Sequence, residues 1–392
     1  MRLRNVALVA ASTLLVIIDG SSVVAKSLTQ PKISTVATRQ RFLRTYNMAV
    51  LENDNEERAL NLNSILGVDK LKTAWTQNKL STYLKKKKTA DEVFVKLKLG
   101  NKASDKLFQD PKFLAWVKYV DDYNSKPGNK EMSMIPTLTN HYGDDVLAKM
   151  LDAASKTDGT KRLASSLQEQ QVKFWRSQDM PLADVFTRLK LDRGLDDILT
   201  NPSFFAFNRY LVDYNVRYSK SMTMIEALGG SYGDAAVAKM LQTTMTKAKD
   251  VETKQLATRL QNQQLQHWKD IGLNSDDIFK DLSLNKAGVT FENPNFIVWG
   301  KFLQNYSGER TRPIDKLWAN FGEEKLATML VAPREAIGGN AMVTFLQNKL
   351  LEKWLTMERS PKDVSAMLGS SFGGKTFAAS YKWNYEKRFG ML

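Results

Sequence analysis

Two histidines, His141 and His267, are the only imidazoles in a chain of 392 residues that has no cysteine at all. A histidine-based metal centre would therefore need carboxylates for its remaining ligands, and no pair of histidines has the spacing that places two imidazoles on one helical face. General acid–base or nucleophilic chemistry has equally little to use. Both histidines stand beside aromatic residues, and neither has a cysteine partner for an activated-nucleophile pair. "GGN" at Gly338 and "FGGK" at Phe372 contain glycines, yet no strand pattern precedes either, as a phosphate-cradling loop requires. No catalytic, cofactor-binding or metal-binding residue is assigned, and the chain is expected not to be an enzyme.

Three other short segments could carry recognition. "DDIFKDL", Asp276 to Leu282, has an aromatic residue and a leucine flanked by acids, the form of a peptide that docks on an adaptor. "DVFTRL" and "EVFVKL" recur at the corresponding places, so Phe279 and Leu282 are expected in a core. The basic run Lys85 to Lys88 could guide nuclear import or touch nucleic acid, but no arginine and aromatic pattern accompanies it, and a solvated connection between helices is the expected role. Asn305-Tyr306-Ser307 is a formal glycosylation sequon whose tyrosine is expected to pack inside.

What must position these residues is a repeat. "ADEVFVKLKL", "LADVFTRLKL" and "SDDIFKDLSL" place Phe94, Phe186 and Phe279 at intervals of 92 and 93 residues. "DPKFLAWVKYVDDYN", "NPSFFAFNRYLVDYN" and "NPNFIVWGKFLQNYS" follow, with Pro111, Pro202 and Pro294 spaced by 91 and 92. A third block starts at Tyr142, Tyr232 and Phe321, and a fourth ends at Trp175, Trp268 and Trp354. Four blocks in one order at a near-constant period define a repeat array.

Each block reads as a helix. Asp110, Asn201 and Asn293 stand before proline, so the side chain caps an orphan N–H and the proline has none to lose. Phe113, Trp116, Val117, Val120 and Tyr123 fall on one helical stripe. Phe204, Phe207, Leu211 and Tyr214 repeat it, as do Phe296, Trp299, Leu303 and Tyr306. Gly143, Gly233 and Gly322 are candidate helix stops, each followed by an acid suited to the next helix's positive end. The expected core is Phe94, Trp116, Tyr123, Tyr142 and Trp175; Phe186, Phe207, Tyr214, Tyr232 and Trp268; and Phe279, Trp299, Tyr306, Phe321 and Trp354. The fold class is therefore all-α: tandem helical-bundle repeats of about 90 residues with about five helices each, stacked into an extended rod. Repeats are expected at 89–178, 181–272 and 274–357, after a helical lead-in at 59–88 and before a partial repeat or cap at 358–392.

Composition sets the remaining bounds. At 43% hydrophobic and 10% aromatic residues the chain can build real cores, and its formal charge is +15. Residues 59–100 hold nine lysines and three acids, a net of +6, and residues 1–58 contribute +3. The N-terminus reads as a secretory signal at 1–25: a basic "MRLRN", an apolar "VALVAASTLLVII" too short to span a bilayer, and small residues ending at Ala25. No later segment has the apolar length of a membrane span. Residues 26–58 read as a flexible polar leader. An exported chain without cysteine is consistent with a working life in a reducing compartment.

With the leader and the repeats together, the chain resembles an oomycete RXLR effector of the tandem L-W-Y (WY-domain) type. Arg41-Phe42-Leu43-Arg44 matches the family's Arg-any-Leu-Arg motif, and Glu56-Glu57-Arg58 matches its downstream acidic motif. Phe207 departs from the pattern by replacing a tryptophan, and Ser307 by replacing an asparagine. The resemblance implies secretion, delivery into plant host cells, and repeats that bind host proteins to suppress immunity. It further implies a candidate partner, the scaffold subunit of the type 2A protein phosphatase, with client proteins on later repeats. A nucleic-acid-binding suppressor of RNA silencing using the basic lead-in is the alternative, although nucleic acid is the less favoured partner. The chain is expected to act as a monomer in the host cytoplasm or nucleus.

Overall fold

The computed structural model describes residues 74–100, 104–286, 288–308, 312–331 and 341–391. The chain divides into two compact units, Met1–Asn61 and Leu62–Leu392, and everything described belongs to the second. The signal peptide, Arg41 to Arg44, Glu56 to Arg58, the start of the lead-in and "GGN" at Gly338 lie outside the described residues.

Among the described residues the secondary structure is helical. The lead-in contributes α1 (Ala74–Lys85). The first repeat then runs α2 (Ala90–Lys96), α3 (Pro111–Asn124), α4 (Ile135–Tyr142), α5 (Asp144–Ser155) and α6 (Lys161–Ser177). The second runs α7 (Leu182–Arg188), α8 (Pro202–Tyr218), α9 (Met224–Tyr232), α10 (Asp234–Lys247) and α11 (Val251–Asp270). The third runs α12 (Ser275–Asp281), α13 (Asn295–Asn305), α14 (Pro313–Phe321), α15 (Glu323–Val331) and α16 (Ala341–Thr356). Two further helices, α17 (Pro361–Leu368) and α18 (Phe372–Arg388), close the described chain.

Local chemistry fixes these boundaries. Thr89 and Glu92 form a capping box on α2, Thr223 and Glu226 do so on α9, and Asn274 and Asp277 on α12. Each box satisfies orphan N–H groups in both directions. Asp110 accepts from the Lys112 N–H at 2.8 Å, and Asn201 and Asn293 accept equivalently from Ser203 and Asn295 at 3.0 Å. Gly143 closes α4 and opens α5 at φ +81° and ψ +159°, and Gly233 sits at φ +81° and ψ +147°. Only glycine occupies that region cheaply, so a single residue can end one helix and aim the next.

Three apolar clusters hold the helices together, and they do not coincide with the sequence repeats. The first runs from Leu80 to Leu167. Ala148 and Trp175, which belong to repeat one by sequence, join the second cluster, and Ala238, Leu265 and Trp268 of repeat two join the third. The third cluster continues through Trp354 to Phe377 and Tyr381 of α18. Repeats one and two therefore donate their terminal tryptophans to the core that follows, and neighbouring units share apolar surface.

Candidate protein-binding surfaces

The functional surface depends on how rigidly these units are held, and three side-chain latches do the holding. In the first, an indole at the end of one long helix donates to the carboxylate that opens an earlier helix of the same unit. Trp175 Nε1 donates to Asp144 Oδ1 at 2.9 Å, Trp268 Nε1 to Asp234 Oδ2 at 3.0 Å, and Trp354 Nε1 to Glu323 Oε1 at 2.9 Å. These acids follow Gly143, Gly233 and Gly322, where a carboxylate also meets the positive end of the helix dipole. In the second latch, Trp116 Nε1 donates to the Ala90 carbonyl at 2.8 Å and Trp299 Nε1 to that of Ser275 at 2.9 Å. Phe207 fills the same place in unit two and has no donor.

The third latch lay one helical turn from its expected position. Tyr123, Tyr214 and Tyr306 are half-buried, as are Tyr142, Tyr232 and Phe321, at the cluster margins. The fully covered phenols are Tyr119, Tyr210 and Tyr381, with Phe302 in the same place in unit three. Tyr119 donates to the Lys88 carbonyl at 2.6 Å, Tyr381 to that of Arg359 at 2.7 Å, and Tyr210 to that of Met180. Each accepting carbonyl lies just past a residue with positive φ, namely Lys87, Glu358 or Asp179. Burial pushes all three phenols up to about 12, so they stay protonated donors. The margin tyrosines Tyr142 and Tyr232 bond the Leu99 and Leu191 carbonyls, which explains why their rings remain partly wet. The other nine expected core residues, Phe94, Trp116, Trp175, Phe186, Phe207, Trp268, Phe279, Trp299 and Trp354, are buried.

Several sequence motifs are absorbed by the fold. Phe279 and Leu282 are inside, so "DDIFKDL" presents no free docking peptide. His141 lies against Phe94, with ring centroids 4.7 Å apart, and Nε2 is 3.4 Å from Asp91. His267 Nδ1 is 3.6 Å from Glu226. Among the described residues no group of three or more His, Cys, Asp or Glu could hold a metal. A Cβ on Gly373 would lie 2.8 Å from the Val331 carbonyl, and one on Gly374 would strike that of Leu368. The glycines of "FGGK" thus let α18 approach two helix ends, a packing role. Lys85 ends α1 and Lys86 and Lys87 form an exposed turn, while Lys88 pairs with Glu92. Among the described residues no helix is long and apolar enough to cross a membrane.

What remains exposed and chemically organised lies where units one and two meet. Arg176 at the end of α6 pairs with Asp213 of α8 at 3.0 Å, and Arg217 pairs with Asp179 at 3.2 Å. Arg217 also donates to the Arg176 carbonyl at 2.7 Å, and its guanidinium lies 5.1 Å from the Tyr218 ring. The Tyr218 hydroxyl donates to Asp179, which pushes the phenol up from its ordinary value. Val216, 79% exposed, rises beside this network, and Arg176, Ser177, Asp213, Val216 and Arg217 line a shallow open depression. Fixed guanidinium groups around an aliphatic knob are the composition of a protein-recognition surface. No sequence signal marked it, because its members come from two helices and a turn and are not periodic.

A set of five-helix units latched through indoles, with chemistry on the outside, defines an all-α tandem-repeat protein. Comparison with known proteins identifies the lineage. Residues 2–126 match the family model described as "RXLR phytopathogen effector protein, Avirulence activity". RxLR effector protein PSR2 of Phytophthora sojae is 31% identical over 94% of this chain and 55% of its own length. The protein of the same name in Phytophthora infestans is 30% identical over 84% of this chain and 43% of its own. The crystal structure of PcRxLR12 aligns at 27% identity and a TM-score of 0.58, covering 81% of this chain and 75% of that one. The chain belongs to the RXLR effector family. It spans about half the length of the curated relatives it matches.

Proposed function

We propose that the protein is a virulence effector that works inside plant host cells by holding host proteins together, without transforming a substrate. Covered latches and uncovered variation support this reading: the Trp and Tyr contacts that set each unit are inside, so the outer helix faces are free to differ from unit to unit. The scaffold subunit of the type 2A protein phosphatase is the candidate first partner, with clients gathered by later units. Two sites on one latched array raise the effective concentration of one partner near the other without new contacts.

The observation that carries the reading is the Arg176, Asp213, Arg217 and Tyr218 network with Val216 beside it. Affinity purification of the tagged chain from plant tissue tests it against the double variant Val216→Asp, Arg217→Glu. The wild type should retain host proteins in stoichiometric amounts, and the variant should lose one set of them while melting at the same temperature. Retention of every partner by the variant would remove this surface from consideration. Absence of phosphatase subunits from the wild-type eluate would dismiss that candidate.

A further inference from the structure

Helix α18 is apolar on two opposite faces. Gly374, Phe377 and Tyr381 are buried, with the Tyr381 ring 5.7 Å from Trp354 and the Phe377 ring 5.8 Å from it. At a hundred degrees per residue, Phe372, Ala379 and Trp383 fall together on the other side. All three are exposed, Phe372 at 89% and Trp383 at 52%. One apolar face packs on the repeat core, and the other is open to solvent.

The repeat itself shows that the outward face is not a leftover core. Positions six before, three before and one after the buried tyrosine hold Phe113, Trp116 and Val120 in α3, and Phe204, Phe207 and Leu211 in α8, all buried. Their counterparts in α18 are Lys375, Ala378 and Lys382, and both lysines are exposed. The aromatic residues have moved instead. Phe372 stands where Asp110 and Asn201 cap the earlier helices, and Trp383 where they have Asp121 and Val212. Lysines flank the new stripe on both sides, Lys375 and Lys382 along one and Lys387 along the other. The one acid in the helix, Glu386, lies 3.6 Å from Lys382. Lys387 sits 4.8 Å from the Trp383 ring centroid, so the cation and the ring are presented together.

We propose that α18 is an interfacial anchor that lays Phe372, Ala379 and Trp383 into the surface of an anionic phospholipid membrane. A ridge of rings edged by lysines meets both demands of that surface: the rings enter at headgroup depth, and the ammonium groups reach up to the phosphates. The charge complementarity is one-sided, three lysines against a single paired acid. Single-stranded RNA is the less suitable occupant because stacking needs open ring faces, and Lys387 already lies over Trp383. The helix would lie on the bilayer, consistent with the lack of any described helix able to span it.

Co-sedimentation of the full chain with vesicles tests the anchor, using pure phosphatidylcholine against phosphatidylcholine containing phosphatidylserine. Binding should appear only on the anionic vesicles and weaken with salt. Replacing Lys375 and Lys382 with glutamine should lower it about thirtyfold, at about 1 kcal/mol for each basic residue near the surface. Trp383→Ala should abolish sedimentation and Trp383→Phe should retain it, while both melt like the wild type because the site is exposed. Brominated lipid should quench a part of the tryptophan emission that Trp383→Phe loses. Equal binding to both vesicles, binding untouched by these changes, or capture of a short RNA without vesicle binding would each overturn the proposal.

Discussion

The seam between units one and two and the seam between units two and three share an indole latch but balance its carboxylate in opposite ways. At the first, Arg188 lies 3.6 Å from Asp144 and Lys190 lies 2.9 Å from Asp145. At the second, Asp234 keeps the place of Asp144, but Asp281 stands where Arg188 was, and Ala235 and Ser283 replace the Asp145 and Lys190 pair. Hydrogen bonds to neutral acceptors take over: Asn295 donates to the Ala235 carbonyl at 3.0 Å, and the Lys301 ammonium donates to Gln242 at 2.9 Å and Gln261 at 2.7 Å. The first seam sets exposed cations on the buried carboxylates of Asp144 and Asp145, and the second is a partly buried polar network. Exposed cations are screened by water and salt, whereas a covered network depends on each contact it makes. The second seam should therefore be the more brittle and the less salt-sensitive.

The largest effect should come from the latches. Trp175→Ala and Trp268→Ala should each cost about 3–5 kcal/mol through a lost buried aromatic. Phenylalanine sharpens the contrast by keeping most of the volume and deleting only the N–H. Trp175→Phe leaves Asp144 beside Arg188, while Trp268→Phe leaves Asp234 beside Asp281 with its donor gone, so the second should cost about 1 kcal/mol more. Equal losses on denaturant melting would contradict the two-seam distinction.

Lys301→Ala comes next. Burial holds the Lys301 ammonium below the usual lysine range, yet its loss strands acceptors on Gln242 and Gln261, which are both buried. The expected cost is about 2–3 kcal/mol. Lys190→Ala at the first seam should cost less, about 1 kcal/mol, because the lysine is exposed and the buried Asp145 carboxylate keeps the positive end of α5 beside it. Equal effects in a denaturant series would show that the two seams rest on the same physics.

Much of this frame was legible from residue types. Gly143, Gly233 and Gly322, the Asx-Pro caps and the terminal tryptophans announce themselves because they answer local demands of φ, orphan N–H groups and periodicity. Tyr119 did not, since it shares a face with Tyr123, and what separates them is a carbonyl at Lys88, 31 residues away. The transfer of Trp175 into the following core was equally invisible, because a helical stripe says which side is covered and not by what. The network at Arg176 and Arg217 depends on a turn that brings Asp179 beside them, a purely tertiary fact.

That same tyrosine position gives the third prediction. Tyr210→Phe should cost about 1 kcal/mol, and Phe302→Tyr, which offers a hydroxyl toward the corresponding loop at Leu273, should regain a similar amount. Opposite signs from one pair of substitutions would show that the carbonyl latch is transferable between seams. A loss for both would mean that the third unit's loop is shaped to its phenyl ring.

The smallest effect concerns pH. Burial, then Asp234, then Asp277 push the Asp281 carboxyl up from 3.8. A carboxyl that holds its proton more tightly in the fold than in the unfolded chain favours the fold most at acidic pH, below its unfolded value. That contribution falls away as pH rises from the unfolded value through the raised folded one. Asp281 is exposed on the seam's rim, so screening limits the gain to a few tenths of a kcal/mol at neutral pH when Asp281→Asn removes the repulsion. The variant should lose the part of the wild type's decline that begins near pH 4, and Asp281→Arg, which restores the first seam's charge pattern, should gain more than Asp281→Asn at low salt alone. If asparagine and arginine stabilise equally at every salt concentration, the difference between the seams is one of desolvation, and the charge pattern at the rim has no part in it.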